Sequence, residues 1–218
     1  VTLHEDFRRA VRDLNILAQR DVRTALRGLT DPRDGKVVLE TLLPELVDAY
    51  GDQAASLAAD YYDELRETER ITGRFTARAP RPADTETAKL VHWALGEAAS
   101  PETFVSLVLG GVQKRVTNTA RSTVMESSFL DPKARGWMRI GTGNCDFCAM
   151  LIARGAVYTE QTVDFSPHDW CGCGAAPAWN PAQVKTTLRP YVESAKRRNE
   201  KTRASDNARA REWIADNL

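Results

Sequence analysis

The sequence has no excess of charge of either sign. Its 30 lysines and arginines balance 30 aspartates and glutamates over 218 residues, whereas a dedicated nucleic-acid-binding domain is usually strongly basic. A local basic patch is still compatible with that balance. No apolar run approaches the ~20 residues that a membrane-spanning helix needs; each is soon broken by charge. No secretory h-region opens the sequence. It starts at Val1 rather than at methionine, as expected of a chain lacking some N-terminal residues. No internal repeat is visible. The catalytic signatures G-x-S-x-G, H-E-x-x-H and the phosphate loop are missing too. Histidine is scarce, with three residues, and cysteine scarcer than most types, with four.

These few residues are not scattered. All four cysteines and one histidine lie within residues 145–173. Cys145 and Cys148 form a C-x2-C pair; after nineteen further residues His168 and Cys171 form H-x2-C, with Cys173 just beyond. Two tight pairs of soft ligands joined by a loop that folds back are what a tetrahedral zinc site requires. Five candidates compete for four positions: Cys145, Cys148, His168 and one of Cys171 and Cys173. The i, i+2 spacing of the last two makes it awkward for both to bind together with His168, so one is expected to be spare. An all-cysteine site with His168 outside it stays open. Two disulfides would suit an oxidising compartment, but no signal peptide precedes them, and unrelated core thiols would not cluster in this way. Zinc is the expectation, and a structural zinc. A catalytic ion keeps a position open for water and has a general base nearby, and four or five soft ligands leave no such position. The H-x-E with P-C-x-x-C signature of zinc deaminases is absent. Asp146, Asp164 and Asp169 read as solvated groups or as partners of the ligands.

The rest of the chain reads mainly as helix. Residues 3–28 carry Leu3, Phe7, Val11, Leu14, Leu17, Ala18, Val22, Ala25 and Leu26 at three- and four-residue steps. Thr2 and Glu5 form a capping box ahead of it, and Gly28 with T-D-P-R-D-G ends it. His4 is expected to be solvated. A second helix is predicted from about Val37 to Glu67, with Pro44 kinking it or marking its true start. Tyr61 and Tyr62 are expected in the core with wet hydroxyls. Residues 71–83, with Gly73, Pro80 and Pro82, read as an extended connector. Thr85 to Ala99 is a short helix with Leu90, Trp93, Ala94 and Leu95 inward; His92 has no cysteine in local reach and is not a ligand. Ser100-Pro101-Glu102 starts a helix to about Ser127, with Phe104, Leu107, Val108, Val112, Val116, Ala120 and Val124 on its inner face. Gly110-Gly111 within it predicts a close crossing or a bend. Lys114, Arg115 and Arg121 are expected to lie away from the inner face.

Past Pro132 the pattern turns to strand. Gly136–Gly141, Ala156–Thr159 and Ala175–Trp179 are short β-segments, with a short helix over Phe147–Arg154 stopped by Gly155. Such a meander has little core of its own, so metal binding would supply folding free energy directly. Asn180-Pro181 starts a last helix, in which seven basic and five acidic residues fall between Tyr191 and Leu218; Trp213 and Ile214 give it an apolar anchor. The fold class is therefore mainly α with a small β-rich zinc-binding subdomain (α+β). The expected division is 1–130 helical, 131–180 the β-rich zinc-knuckle module, and 181–218 a charged C-terminal helix.

One arrangement of these features resembles a known family. Helices, a strand into C-x2-C, then H-x2-C-x-C resemble the Mu F-like minor head (head morphogenesis) proteins of tailed phages. Trp137, Arg139, Cys145, Cys148, Gly155, Ala156, Val157, Tyr158, His168, Cys171 and Cys173 carry the resemblance. The run C-D-F-C-A-M-L-I-A-R-G-A-V-Y is similar to the type found in phages of actinobacteria, as is A-A-S-L-A-A-D-Y-Y-D-E-L-R in the helical half. Asp169, Trp170 and Gly172 depart from the residues common inside the family's H-x2-C-x-C. The resemblance implies a non-enzymatic virion component with a structural Zn2+, inside the capsid near the portal and in the host cytoplasm during assembly. The implied partners are the portal protein and other capsid components, with packaged DNA a further candidate, and no membrane. The implied role is head assembly or DNA packaging and delivery. The C-terminal helix offers a surface for self-association. The alternative is a zinc-ribbon-like DNA-binding or DNA-processing protein, which a basic stripe of Arg70, Arg74, Arg78, Lys114, Arg115 and Arg121 would favour. A zinc hydrolase is the remaining enzyme reading and needs an open metal position.

Overall fold

Thr2 starts the first helix as its sequence dictates. Its hydroxyl accepts from the Glu5 amide and the Glu5 carboxylate accepts from the Thr2 amide, closing the capping box of α1 (Leu3–Ala25). The computed structural model describes residues 2–79, 87–142, 146–156, 158 and 169–180. The C-terminal stretch expected to be a charged helix lies outside the described residues, as do Cys145 and His168.

The second helix begins earlier than its apolar stripe suggests. α2 spans Pro32–Thr68, so the D-P-R-D run read as a terminator is an initiator. Asp31 caps it, accepting from the Arg33 amide at 2.8 Å, and Pro32 takes the first turn, where no N–H is needed. Pro44 falls inside α2, not at its start. α3 spans Thr87–Glu97 and α4 Pro101–Leu130, the latter capped by Ser100 on Thr103 N at 3.2 Å. Two inward assignments and one outward one fail. Leu17 and Trp93 are exposed, each on the flank of its stripe rather than on its centre. His4 is half-buried, its Nδ1 2.7 Å from Tyr61 Oη, and burial lowers its pKa against the opposing charge of Glu69.

Helix α4 is the spine. It packs against α1, α2, α3 and both strands. Phe104, Val108, Val112, Val116, Ala120 and Val124 are buried as predicted. Its second half also buries Thr117, Thr119, Thr123, Ser127 and Ser128. Several of these hydroxyls donate to the helix's own carbonyls: Thr119 to Arg115, Thr123 to Thr119 and Ser128 to Val124, at 3.2, 3.0 and 2.7 Å. Small polar residues satisfied in this way can face neighbours on several sides. The Gly110-Gly111 pair is a close crossing. A Cβ at Gly111 would overlap the Leu90 side chain of α3, and one at Gly110 would sit 2.8 Å from Trp170 Nε1.

The β-region lies on this spine. β1 (Gly136–Ile140) pairs antiparallel with β2 (Gly174–Ala178), Trp137 facing Pro177 and Ile140 facing Gly174. On its other edge Trp137 bridges Tyr158, N to O at 2.9 Å and O to N at 3.3 Å. In an antiparallel strand one residue's N–H and C=O point the same way. Trp137 spends both on Tyr158, so Pro177 opposite needs no N–H, which is why proline is tolerated in β2. The small residues of G-A-A-P-A let β2 lie close on α4, and all five are buried. Among the described residues of 156–159, Tyr158 alone pairs, as a single bridge. α5 covers Asp146–Ala153.

One carboxylate ties these parts together. Asp131 follows the last residue of α4 and is 2% exposed. Its Oδ2 accepts from Arg66 Nε at 3.0 Å, Trp179 Nε1 at 3.0 Å and Tyr62 Oη at 3.2 Å; its Oδ1 accepts from the Lys133 amide at 2.9 Å. The Tyr62 hydroxyl, expected to be wet, is thus buried on a charge. Arg66 also donates to the carbonyls of Ile71, Thr72 and Gly73, so the first part of the extended connector is fastened to α2. Among the described residues no helix is long and apolar enough to cross a membrane.

Burial pushes the Asp131 pKa up, but the Lys133, Trp179 and Arg66 hydrogen bonds outweigh it and hold the carboxyl below its ordinary value. Its contribution to stability is therefore complete above the unfolded value of about 3.9. It is lost as pH falls through the lower native value. We expect Asp131→Ala to cost about 3–5 kcal/mol, because it strands a buried guanidinium, and Asp131→Asn to flatten the acid limb of a plot of stability against pH. Urea melts from pH 2 to 7 (about the span in which carboxylates titrate) check both; an unchanged acid limb in the Asn variant refutes the account. Gly111→Ala should destabilise by about 1–3 kcal/mol through overpacking against Leu90, although alanine is the better helix former.

Candidate metal centre

Three of the four cysteines meet where α5, the approach to β2 and the spine come together. Cys148 lies in α5, near its start. Cys171 and Cys173 lie on the segment running into β2. All three are buried free thiols, at most 5% exposed. Their Sγ atoms lie within 4.8 Å of one another, and Cys148 Sγ is 3.7 Å from Cys171 Sγ. A tetrahedral ion with Zn–S bonds of about 2.3 Å places its sulfurs about 3.8 Å apart, so this edge already has the right length. A disulfide would need about 2.05 Å.

The i, i+2 spacing made it awkward for both Cys171 and Cys173 to bind together with His168; in the structure both thiols lie beside Cys148. Gly172 between them is exposed while the two cysteines are buried, so the knuckle turns its two side chains the same way. Cys145 and His168, the remaining candidates, lie outside the described residues.

The knuckle is held by a residue whose role the sequence reading missed. Arg121, on α4, is 2% exposed. Its Nε donates to the Cys173 carbonyl and its Nη2 to the Cys171 carbonyl, both at 2.8 Å, while Nη1 donates to Asn118 Oδ1 at 2.7 Å. A planar guanidinium can span two carbonyls in this way and an ammonium cannot. Arg121 was expected on the solvated side of α4. The signal against that was present: Thr117, Arg121, Val124 and Ser128 follow three- and four-residue steps, a second buried stripe written in mostly polar residues. Burial lowers the Arg121 pKa to about 10, with the neighbouring thiols opposing, so it stays charged at neutral pH. Arg121 also leaves the suggested basic stripe. Within that stripe Lys114 pairs with Asp169 at 3.4 Å and Arg115 donates to its own helix at Gly111 O.

Electrostatically the cluster favours one thiolate, on Cys171. The Cys171 thiol is held well below its ordinary value by the hydrogen bond from Cys173, with burial opposing and Arg121 assisting. Cys173 is pushed up, since it supplies that hydrogen bond and faces the charge of Cys171. Thiolate is the form that binds a soft divalent ion, so the donor set fits zinc. Beside the cluster, Trp137 stacks on Tyr158 with ring centroids 4.4 Å apart, and the Arg139 guanidinium stands 5.9 Å from the Tyr158 centroid. Trp137, Arg139 and Tyr158, singled out with the cysteines in the sequence, are thus neighbours in space.

A family model described as VG15 protein matches residues 2–201 of the chain. No curated protein and no solved structure matches it.

Replacing Arg121 should loosen the knuckle from α4. Arg121→Met leaves two carbonyls with no guanidinium to accept from, at about 1–3 kcal/mol for each buried group left unsatisfied. Arg121→Lys should recover only part of the loss. Denaturant midpoints together with the rate at which a thiol reagent labels the protein check this. Wild-type labelling rates in Arg121→Met would show that the guanidinium does not hold the knuckle.

Proposed function

This chain belongs to the VG15 protein family, a family of phage proteins, and from that membership we propose that it is a non-enzymatic component of the phage particle. In this reading it is a minor head protein of the Mu F-like kind. It acts in head assembly or in DNA packaging and delivery, from inside the capsid beside the portal. The observation that carries the reading is the convergence of Cys148, Cys171 and Cys173 into one buried cluster fastened to the helical spine. Cys148, Cys171 and Cys173 would hold a structural zinc, with the fourth ligand supplied by Cys145 or His168. The ion would contribute folding free energy to a β-region with few strands.

Several features support a structural rather than a catalytic assignment. The three thiols are buried, and among the described residues no imidazole or carboxylate joins them in a ligand-like group. The nearest strong cation, Arg121, is engaged by carbonyls rather than free to act on a substrate. The alternative, a zinc-ribbon-like DNA-binding protein, draws on the basic stripe, and the burial of Arg121 weakens it.

The test has two arms. Elemental analysis of the purified chain should find one zinc per chain, lost in Cys171→Ser and in Cys173→Ser alike, and a chelator should lower the melting temperature. Antibody detection in purified phage particles should find the protein inside intact heads. Zinc with no protein in the particles refutes the virion role while keeping the metal centre. Protein in particles with no metal and an unmoved melting curve refutes the zinc.

A further inference from the structure

A groove, about 630 Å³ in volume, runs between α1 and α4 and ends at the cysteine knuckle. Its α1 wall carries Arg8, Arg9 and Arg12, which lie within about 6 Å along the helix axis. Arg9 and Arg12 are bound only loosely. Their pairs with Asp6 and Asp13, at 3.4 and 3.3 Å, are half or more exposed, and such pairs are worth little in water. Arg8 reaches Gly172 O at 3.4 Å, a long contact. Glu5, the one acid lining this groove among the described residues, is engaged by the Thr2 amide.

The far wall is aromatic and strained. Trp170 is 48% exposed, although the Nε1 side of its indole lies against Gly110. Its backbone φ is 63°, a left-handed conformation that a bulky residue seldom adopts and that is retained where function needs it. Ile16, also exposed, lines the same groove. On the floor Asn15 is 95% buried, as its 5% exposure shows. Its Nδ2 donates to Val11 O and Thr117 Oγ1. A carbonyl can only accept, so the nitrogen faces Val11 and the oxygen is fixed as the other atom. That Oδ1 has no partner among the described residues and is itself sealed from solvent.

We propose that this groove binds an acidic peptide segment of a partner protein. Its carboxylates pair with Arg8, Arg9 and Arg12. An apolar side chain lies against Trp170 and Ile16. A short peptide fits better than a nucleic acid, because Asp6 and Asp13 stand among the arginines and would repel a continuous polyanion. The inference stands on the groove alone and does not depend on the particle assignment.

The experiment is fluorescence anisotropy with the full chain at physiological ionic strength. The probes are a labelled peptide alternating glutamate with leucine, its glutamine counterpart, and a single-stranded oligothymidylate. We expect saturable binding of the glutamate peptide, weakened about tenfold or more, 1.4 kcal/mol, by glutamine and by Arg9→Glu/Arg12→Glu. Both arginines are exposed, so the double variant should keep its melting temperature. Trp170→Gly should weaken binding while leaving stability equal or higher, because glycine relieves the left-handed backbone. Equal binding of the two peptides, no binding of either, or an oligonucleotide that uses these arginines when the peptide does not, each overturns the proposal.

Discussion

The carboxylate of Asp131 is the point from which the rest of the described structure is located. Taking it and Arg66 out of water costs several kcal/mol per ion, which their attraction offsets only if the remaining lone pairs and protons are also satisfied. They are. Four donors from α2, from the turn after α4 and from the end of the sheet converge on one carboxylate. The spare N–H groups of Arg66 are taken by three carbonyls of the connector. Such a network fixes geometry more than it adds net stability. A packing that moved α2, β1 or Trp179 would leave a charge without its partner, so the pair selects one arrangement of helices and sheet.

Arg121 does for the cysteine knuckle what Asp131 does for the helices. Both are charges placed on or just after α4, and both are satisfied by groups distant in sequence. The sheet has two strands and a bridge, too little to stand alone. It is stable here because β2, built of glycine, alanine and proline, is pressed on α4 and because the guanidinium seizes the two carbonyls beside it. Trp137, Ala175 and Ala176 accordingly belong to the same apolar cluster as Val116, Ala120 and Val124. The knuckle and the spine are one packing problem.

That dependence on contacts between distant segments decides how much could be read from the sequence. The helices were legible because their signals are local: the capping box at Thr2, the Ser100-Pro101 start, the periodic apolar face of α4. The approach of Cys148 to the segment of Cys171 and Cys173 was expected from spacing, since tight pairs of soft ligands have few other uses; that both of the latter thiols lie beside it was not. Asp31-Pro32 was misread because turn residues and helix-start residues are the same types, and only the Asp31 side chain on Arg33 N tells them apart. Arg121, Asp131 and Arg66 were not legible as buried. A charged residue reads as exposed unless its partner is known, and their partners lie 50 or more residues away. The burial of His4 and of the Tyr62 hydroxyl was missed for the same reason.

The chemistry of the cysteine cluster follows from the same geometry. Three thiolates in one place would repel one another strongly, and a buried cluster needs positive charge. Arg121 supplies some of it from outside the sulfur shell, through the backbone, so it stabilises the cluster without competing for a ligand position. The Asp169 carboxylate, close in sequence, is on Lys114. The buried counter-charge and the sulfur spacing hold the knuckle in one shape. An ion bound there would serve the same end, by making the turn at Cys171–Cys173 as rigid as the helix it rests on.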